Sequence, residues 1–157
     1  MTAYTLIGVA AAVAFAYFAG DFALDGLRRR ICLLTELNGF AEKSAVGIAE
    51  YKLTLSAIKS ETDAPMLTEC GFFGWLEHGC MDEDGLPPLT ADEREAVSSF
   101  VSGFGKCFAD EQAALCRSLA DRMADALGKA KSEYETKSKI MRTLPPLSVM
   151  SLLILLF

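Results

Sequence analysis

Charge is missing from both ends of this 157-residue chain. All 15 basic residues lie between Arg28 and Arg142, and outside those limits the only charged side chains are Asp21 and Asp25. The five cysteines, Cys32, Cys70, Cys80, Cys107 and Cys116, include no CxxC pair, so the spacing of a zinc ribbon or a thioredoxin-like redox motif is absent. There is one histidine, His78, and no nucleophile or orienting group stands in a pattern with it, which argues against acid–base and nucleophilic catalysis. No segment alternates apolar and polar residues over a useful strand length, so a sheet has nothing to form from. A net charge of −6 argues against a nucleic-acid binder, because phosphate contacts need clustered Lys and Arg, and the single basic cluster, Arg28-Arg29-Arg30, sits beside an apolar segment that explains it more simply. Gly103-Phe104-Gly105-Lys106 has a superficial likeness to a phosphate loop, but it lacks both nucleotide-binding spacings and a preceding strand. Nothing assembles an enzyme, and no cofactor or metal site is expected; the plain reading of the cysteines is small, buried apolar residues in a reducing cytoplasm.

What the chain does have is apolar residue, 52% of it, unevenly placed. Thr2 to Gly20 carries no charged side chain and as a helix would be about 28 Å long, close to the thickness of a hydrocarbon core. Tyr4 and Tyr17-Phe18 suit the two interfaces of a bilayer. Cleavage as a signal peptide at Ala14-Phe15-Ala16 is the rival reading. Against it, no Lys or Arg precedes the run and Arg28-Arg29-Arg30 follow it, which keeps the arginines cytoplasmic and the N-terminus outside. At the other end Leu144 to Phe157 is also uncharged, although its 14 residues make only about 21 Å of helix. Lys139 and Arg142 can snorkel and lengthen the buried part, and a monotopic insertion or a core helix end is the alternative. Both flanks agree on an outside–in–outside topology.

Between the ends the apolar period is helical. Ile31, Leu34, Leu37, Ala41, Ala45, Ile48 and Leu55 form one stripe, with Gly39 and Gly47 weakening its middle, so either two segments or one helix held by packing is expected. Glu61 to Pro65 reads as a loop into a short helix whose apolar face is Met66, Cys70, Phe73 and Leu76. Asp82 to Pro88 is a break rich in acid and turn formers. Thr90 and Glu93 fit a capping box, and Val97, Phe100, Val101 and Phe104 line the helix that follows, which Gly103 and Gly105 end or bend. The last helix runs from about Asp110 to Thr143 on Leu115, Leu119, Met123, Ala126, Ala130 and Tyr134, and Pro145-Pro146 would kink it or separate it from the final apolar run. The fold class expected is all-α: a helical bundle, residues 28–142, flanked by an N-terminal transmembrane helix in residues 1–27 and a C-terminal one in 143–157. From Glu61 to Glu95 there are ten acidic residues and one basic, Arg94; this patch either serves solubility or meets a basic partner, with Asp82, Glu83 and Asp84 at its centre.

Four stretches, taken in order, resemble the stage III sporulation protein AB family of endospore-forming bacteria, whose cytoplasmic domain is similar to the F-type platform domains of type II secretion systems. They are the apolar segment ending in Leu27-Arg28-Arg29-Arg30; the helix around Leu34-Thr35-Glu36-Leu37 with Ile48 and Leu55; Phe104-Gly105-Lys106 with Gln112 seven residues after Gly105; and the long helix closing on Lys139 to Leu144 and a Leu-rich tail. The chain departs from the family at Phe108, where Asp is common, and at Glu111, where Gly is common. The resemblance implies a non-enzymatic platform in the mother cell–forespore channel complex, set in the mother-cell membrane. Its partners would be membrane lipid, a cytoplasmic ATPase and other membrane proteins of the channel. A platform also implies several copies, and hence a homo-oligomer. The partner contact is expected at Gly105, Lys106, Glu111 and Gln112 or at the acidic loop, Asp82, Glu83 and Asp84. A membrane-tethered adaptor or sensor that holds a soluble cytoplasmic partner is the alternative, and a secreted helical protein a third reading.

Overall fold

A computed structural model describes residues 3–81 and 89–156, together with the side chains of most residues from 21 to 141 and only a few beyond. Among the described residues there are six helices and no strand: α1 (Ala3–Tyr51), α2 (Leu55–Glu61), α3 (Pro65–Glu69), α4 (Phe72–His78), α5 (Ala91–Gly103) and α6 (Ala109–Leu156). The all-α class holds. The chain divides into two compact units, residues 29–130 and a second made of residues 1–28 with 131–157.

In residues 29–130 the helical period becomes the core. Leu34, Leu37, Ala41, Ala45 and Ile48 of α1 are all buried, so burial along one face carries the helix unbroken through Gly39 and Gly47. Rings fasten the layers together. Phe72 of α4 meets Phe40 of α1 edge-on at 5.3 Å between centroids and stacks on Phe100 of α5 at 6.5 Å. Such pairs add to area burial because the ring edge is electropositive and the face electronegative. Met123 and Leu119 of α6 complete this core, with Cys116 beside them.

Several expectations are corrected here. Leu55 is not on the first stripe: α1 ends at Tyr51, and Lys52 takes a left-handed conformation with φ 50°. Leu53 N–H then reaches back to the Gly47 carbonyl at 3.0 Å, and Leu55 opens α2, capped by the Thr54 side chain. The short helix after Pro65 is two helices. Gly71, with φ +77°, breaks it, and the buried face becomes Leu67, Phe72, Phe73, Trp75 and Leu76, while Met66 and Cys70 are half-buried. Pro65 sits at the first turn of α3 as expected. The N-cap of α3, Ala64, has no side chain to offer, and Glu36 of α1 supplies the missing acceptor to Leu67 N–H at 3.0 Å. Pro145 and Pro146 do not separate the last segment, since α6 is helical from Ala109 to Leu156. Three of the five cysteines, Cys32, Cys80 and Cys107, are exposed rather than buried.

The capping box at α5 is present, with Glu93 N–H donating to Thr90 Oγ1 at 3.4 Å and Thr90 N–H to Glu93 Oε2 at 2.8 Å. Val97, Phe100, Val101 and Phe104 are all buried, and α5 stops at Gly103.

Residues 1–28 and 131–157 hold the start of α1 and the end of α6. Arg28 Nε donates to the Tyr134 hydroxyl at 3.0 Å, its guanidinium lies 5.8 Å from that ring's centre, and Asp21 is 3.5 Å away. Lys137 pairs with Glu133 one turn earlier at 2.7 Å. Among the described residues no helix is long and apolar enough to cross a membrane. The side chains of residues 144–157, and most of those from 1 to 20, lie outside the described ones.

Candidate functional site

The α5–α6 turn contains the residues singled out in the sequence. Phe104 leaves the helical region (φ −65°, ψ 133°) while its N–H still donates to Phe100 O at 2.9 Å. Gly105 follows with φ +78°, a backbone conformation that strains any residue with a Cβ. Lys106 N–H turns back to Gly103 O at 3.3 Å, and Gln112 N–H donates to Phe108 O at 2.8 Å to begin α6. The Gln112 side chain, only 7% exposed, then accepts from Gly105 N–H through Oε1 at 3.0 Å. The eight residues from Gly105 to Gln112 are thereby closed into a clasp. Outside it stand Lys106, Cys107 and Phe108, the last 84% exposed, while Asp110 and Glu111 sit in the first turn of α6, where the helix dipole favours acids. Lys106 Nζ would lie 3.7 Å from a Cβ placed on Gly79, so its side chain runs toward the C-terminal end of α4. This arrangement can present one cation, one ring and two carboxylates on a fixed backbone. Asp82, Glu83 and Asp84, the other expected contact residues, lie outside the described residues.

A second feature went unread in the sequence. Arg30 Nη2 and Nε donate to Glu93 Oε1 and Oε2 at 2.6 and 3.2 Å, in a pair whose side chains are largely covered. Burial would push the Glu93 carboxyl up, but the hydrogen bonds from Arg30 and from the Thr90 N–H prevail and hold it below the usual carboxylate range. One carboxylate therefore caps α5 and ties it to α1. The pair borders a groove of ≈ 350 Å³ whose far wall is Arg122, Asp125 and Lys129 of α6. Arg30 and Glu93 are 63 residues apart, and no local pattern links them. A further groove of ≈ 440 Å³ runs between α1 and α2 beside Val46, Tyr51, Leu53 and Ile58, with Glu42, Lys43 and Glu61 at its rim.

No family model, curated protein or solved structure matches the chain. The site is therefore read from its own chemistry. His78 is exposed, and its Nδ1 lies 2.7 Å from the Gly74 carbonyl oxygen, which can only accept, so Nδ1 carries the proton and ends α4 as a cap. Burial raises the Cys116 thiol to about 11, against a smaller opposing pull from Arg117, and burial also raises Cys70. Burial therefore disfavours the reactive thiolate at both positions. Among the described residues no three His, Cys, Asp or Glu side chains converge as metal ligands would.

Proposed function

We propose that this chain is a non-enzymatic, membrane-anchored helical platform of the kind found in the mother cell–forespore channel, joining a cytoplasmic ATPase to the channel's membrane components. In this reading residues 28–142 face the cytoplasm and both apolar ends enter the mother-cell membrane. The observation that carries it is the Gly105–Gln112 hydrogen bond. The most specific parts of the resemblance are Phe104-Gly105-Lys106 with Gln112 seven residues after Gly105 and the long closing helix, and a turn clasped in this way fixes the backbone that carries Lys106 and Glu111, which lessens the backbone entropy lost when a partner docks. A rigid turn with a lysine on one side and acids on the other suits recognition of a charged protein surface.

The test is capture of the channel ATPase by the full chain in mild detergent. Charge reversal at Lys106→Glu or Glu111→Lys is expected to weaken capture at least tenfold, with far-UV circular dichroism unchanged. Retention of full binding by both variants would remove the turn from the interface. Topology is read separately in intact cells, with the native cysteines replaced and single cysteines placed at Ser60 and after Phe157. Protection at position 60 with labelling beyond Phe157 fits the anchored platform, whereas outside labelling at 60 would overturn it.

The alternative, a membrane-tethered adaptor or sensor for a soluble partner, is favoured by the groove beside Val46 and Tyr51. Loss of partner capture on Val46→Glu, with the α5–α6 turn variants unaffected, would select that reading.

A further inference from the structure

Among the described side chains of residues 1–28 and 131–157, three large apolar ones are exposed. Phe18 and Phe22, one helical turn apart on α1, are 73% and 86% exposed, and Ile140 of α6 is 47% exposed. Positions four apart share a helix face, so the two rings form one ridge. Water is a poor neighbour for such a ridge. The charge between the two phenylalanines is compensated: Asp21 pairs with Arg28, which is also drawn to Asp25 and tied to Tyr134 of α6. A compensated acid costs less than a bare one to bring up to lipid. Charge over the two units differs in the same sense. Residues 1–28 with 131–157 hold five basic and four acidic residues, +1, whereas residues 29–130 hold ten and seventeen, −7. Negative headgroups repel the second and not the first.

We propose that this ridge is the water–lipid boundary of the chain, with Phe22 among the headgroups and glycerol of a phospholipid bilayer and Phe18 one turn deeper. The inference rests on the membrane reading above and adds to it the depth at which α1 enters. The ridge continues directly from the charge-free run Thr2–Gly20, and Arg28, with its hold on Tyr134, lies on the aqueous side. Aromatic rings next to basic residues are what such a boundary selects. A bilayer boundary, unlike a span, requires no long apolar helix among the described residues.

The experiment uses the full chain in vesicles of phosphatidylcholine and phosphatidylglycerol, with Phe18→Trp and Phe22→Trp made one at a time. Trp75 is buried and common to all samples, so the unmutated chain supplies the background. Phosphatidylcholines brominated near the glycerol end or near the middle of the acyl chain then quench by depth. Expected is strongest quenching of position 22 by the shallow bromines and of position 18 by bromines about 5 Å deeper, the pitch of one turn. Protein that floats with the vesicles but shows no quenching at either position would overturn this boundary and leave the membrane anchor standing. The ridge would then be covered by protein, and disulfide cross-linking between two copies of a Phe22→Cys variant, with the native cysteines replaced, would identify a second chain as the cover. Protein that fails to float would overturn the membrane reading itself, and the boundary with it.

Discussion

Replacing Glu93 by Gln perturbs a carboxylate that caps α5 and ties it to α1. Gln keeps the shape and one oxygen to accept from Thr90 N–H, so the capping box is weakened and not removed. What is lost is the charge that Arg30 reaches with two hydrogen bonds of 2.6 and 3.2 Å. A hydrogen bond to a charged group is worth about 1.5–3 kcal/mol net. Relief of the carboxylate's own desolvation offsets part of this, and Arg30 left in a mostly covered site adds to it, so about 2 kcal/mol is expected. For a unit of about 100 residues that is about 10 °C in Tm. Glu93→Ala also removes the cap, about 1 kcal/mol more. The assay is thermal unfolding of the full chain in mild detergent by far-UV circular dichroism, with Arg30→Met and the double variant closing a cycle. A coupling of about 1.5–2 kcal/mol between the two positions is expected. The pH dependence has a definite sign. The folded-state carboxyl titrates below its unfolded value, so its contribution is complete above that value, about 4.3, and fades as pH falls through the lower folded value. The gap between wild type and Glu93→Gln is therefore constant from neutral pH down to about 5.5 and closes below about 4.5. Independent effects of the two substitutions, or a gap that widens in acid, would refute the account.

Three further outcomes are expected. Gln112→Ala removes the acceptor for Gly105 N–H; because Gly105 is exposed, water takes over, stability falls by only about 1 kcal/mol, and hydrogen exchange at the Gly105 amide quickens at least tenfold. Lys52→Gly relieves the left-handed backbone at the end of α1 and raises stability by about 0.5–1 kcal/mol in the same unfolding assay. In thiol labelling at neutral pH, Cys32, Cys80 and Cys107 react first and Cys116 last, its rate following global unfolding; fast labelling of Cys116 in the folded chain would contradict its burial.

Sequence alone determined what depends on neighbours close along the chain. The 3.6-residue stripe of Leu34, Leu37, Ala41, Ala45 and Ile48, the Thr90–Glu93 capping box and the stop at Gly103–Gly105 all follow from local period or local hydrogen bonding, and each is present in the fold. The split at Gly71, by contrast, was decided by burial: turning the chain there places Phe72 against both Phe40 and Phe100, which no single helix from Pro65 to His78 would do. Lys52 in a left-handed conformation, Glu36 capping α3 and the Arg30–Glu93 pair are likewise tertiary outcomes. Each joins residues far apart in sequence or carries a local strain that the packed whole offsets. A window of local pattern reads the energy of adjacent groups, whereas these contacts draw theirs from the removal of water between helices, which only the assembled fold brings about.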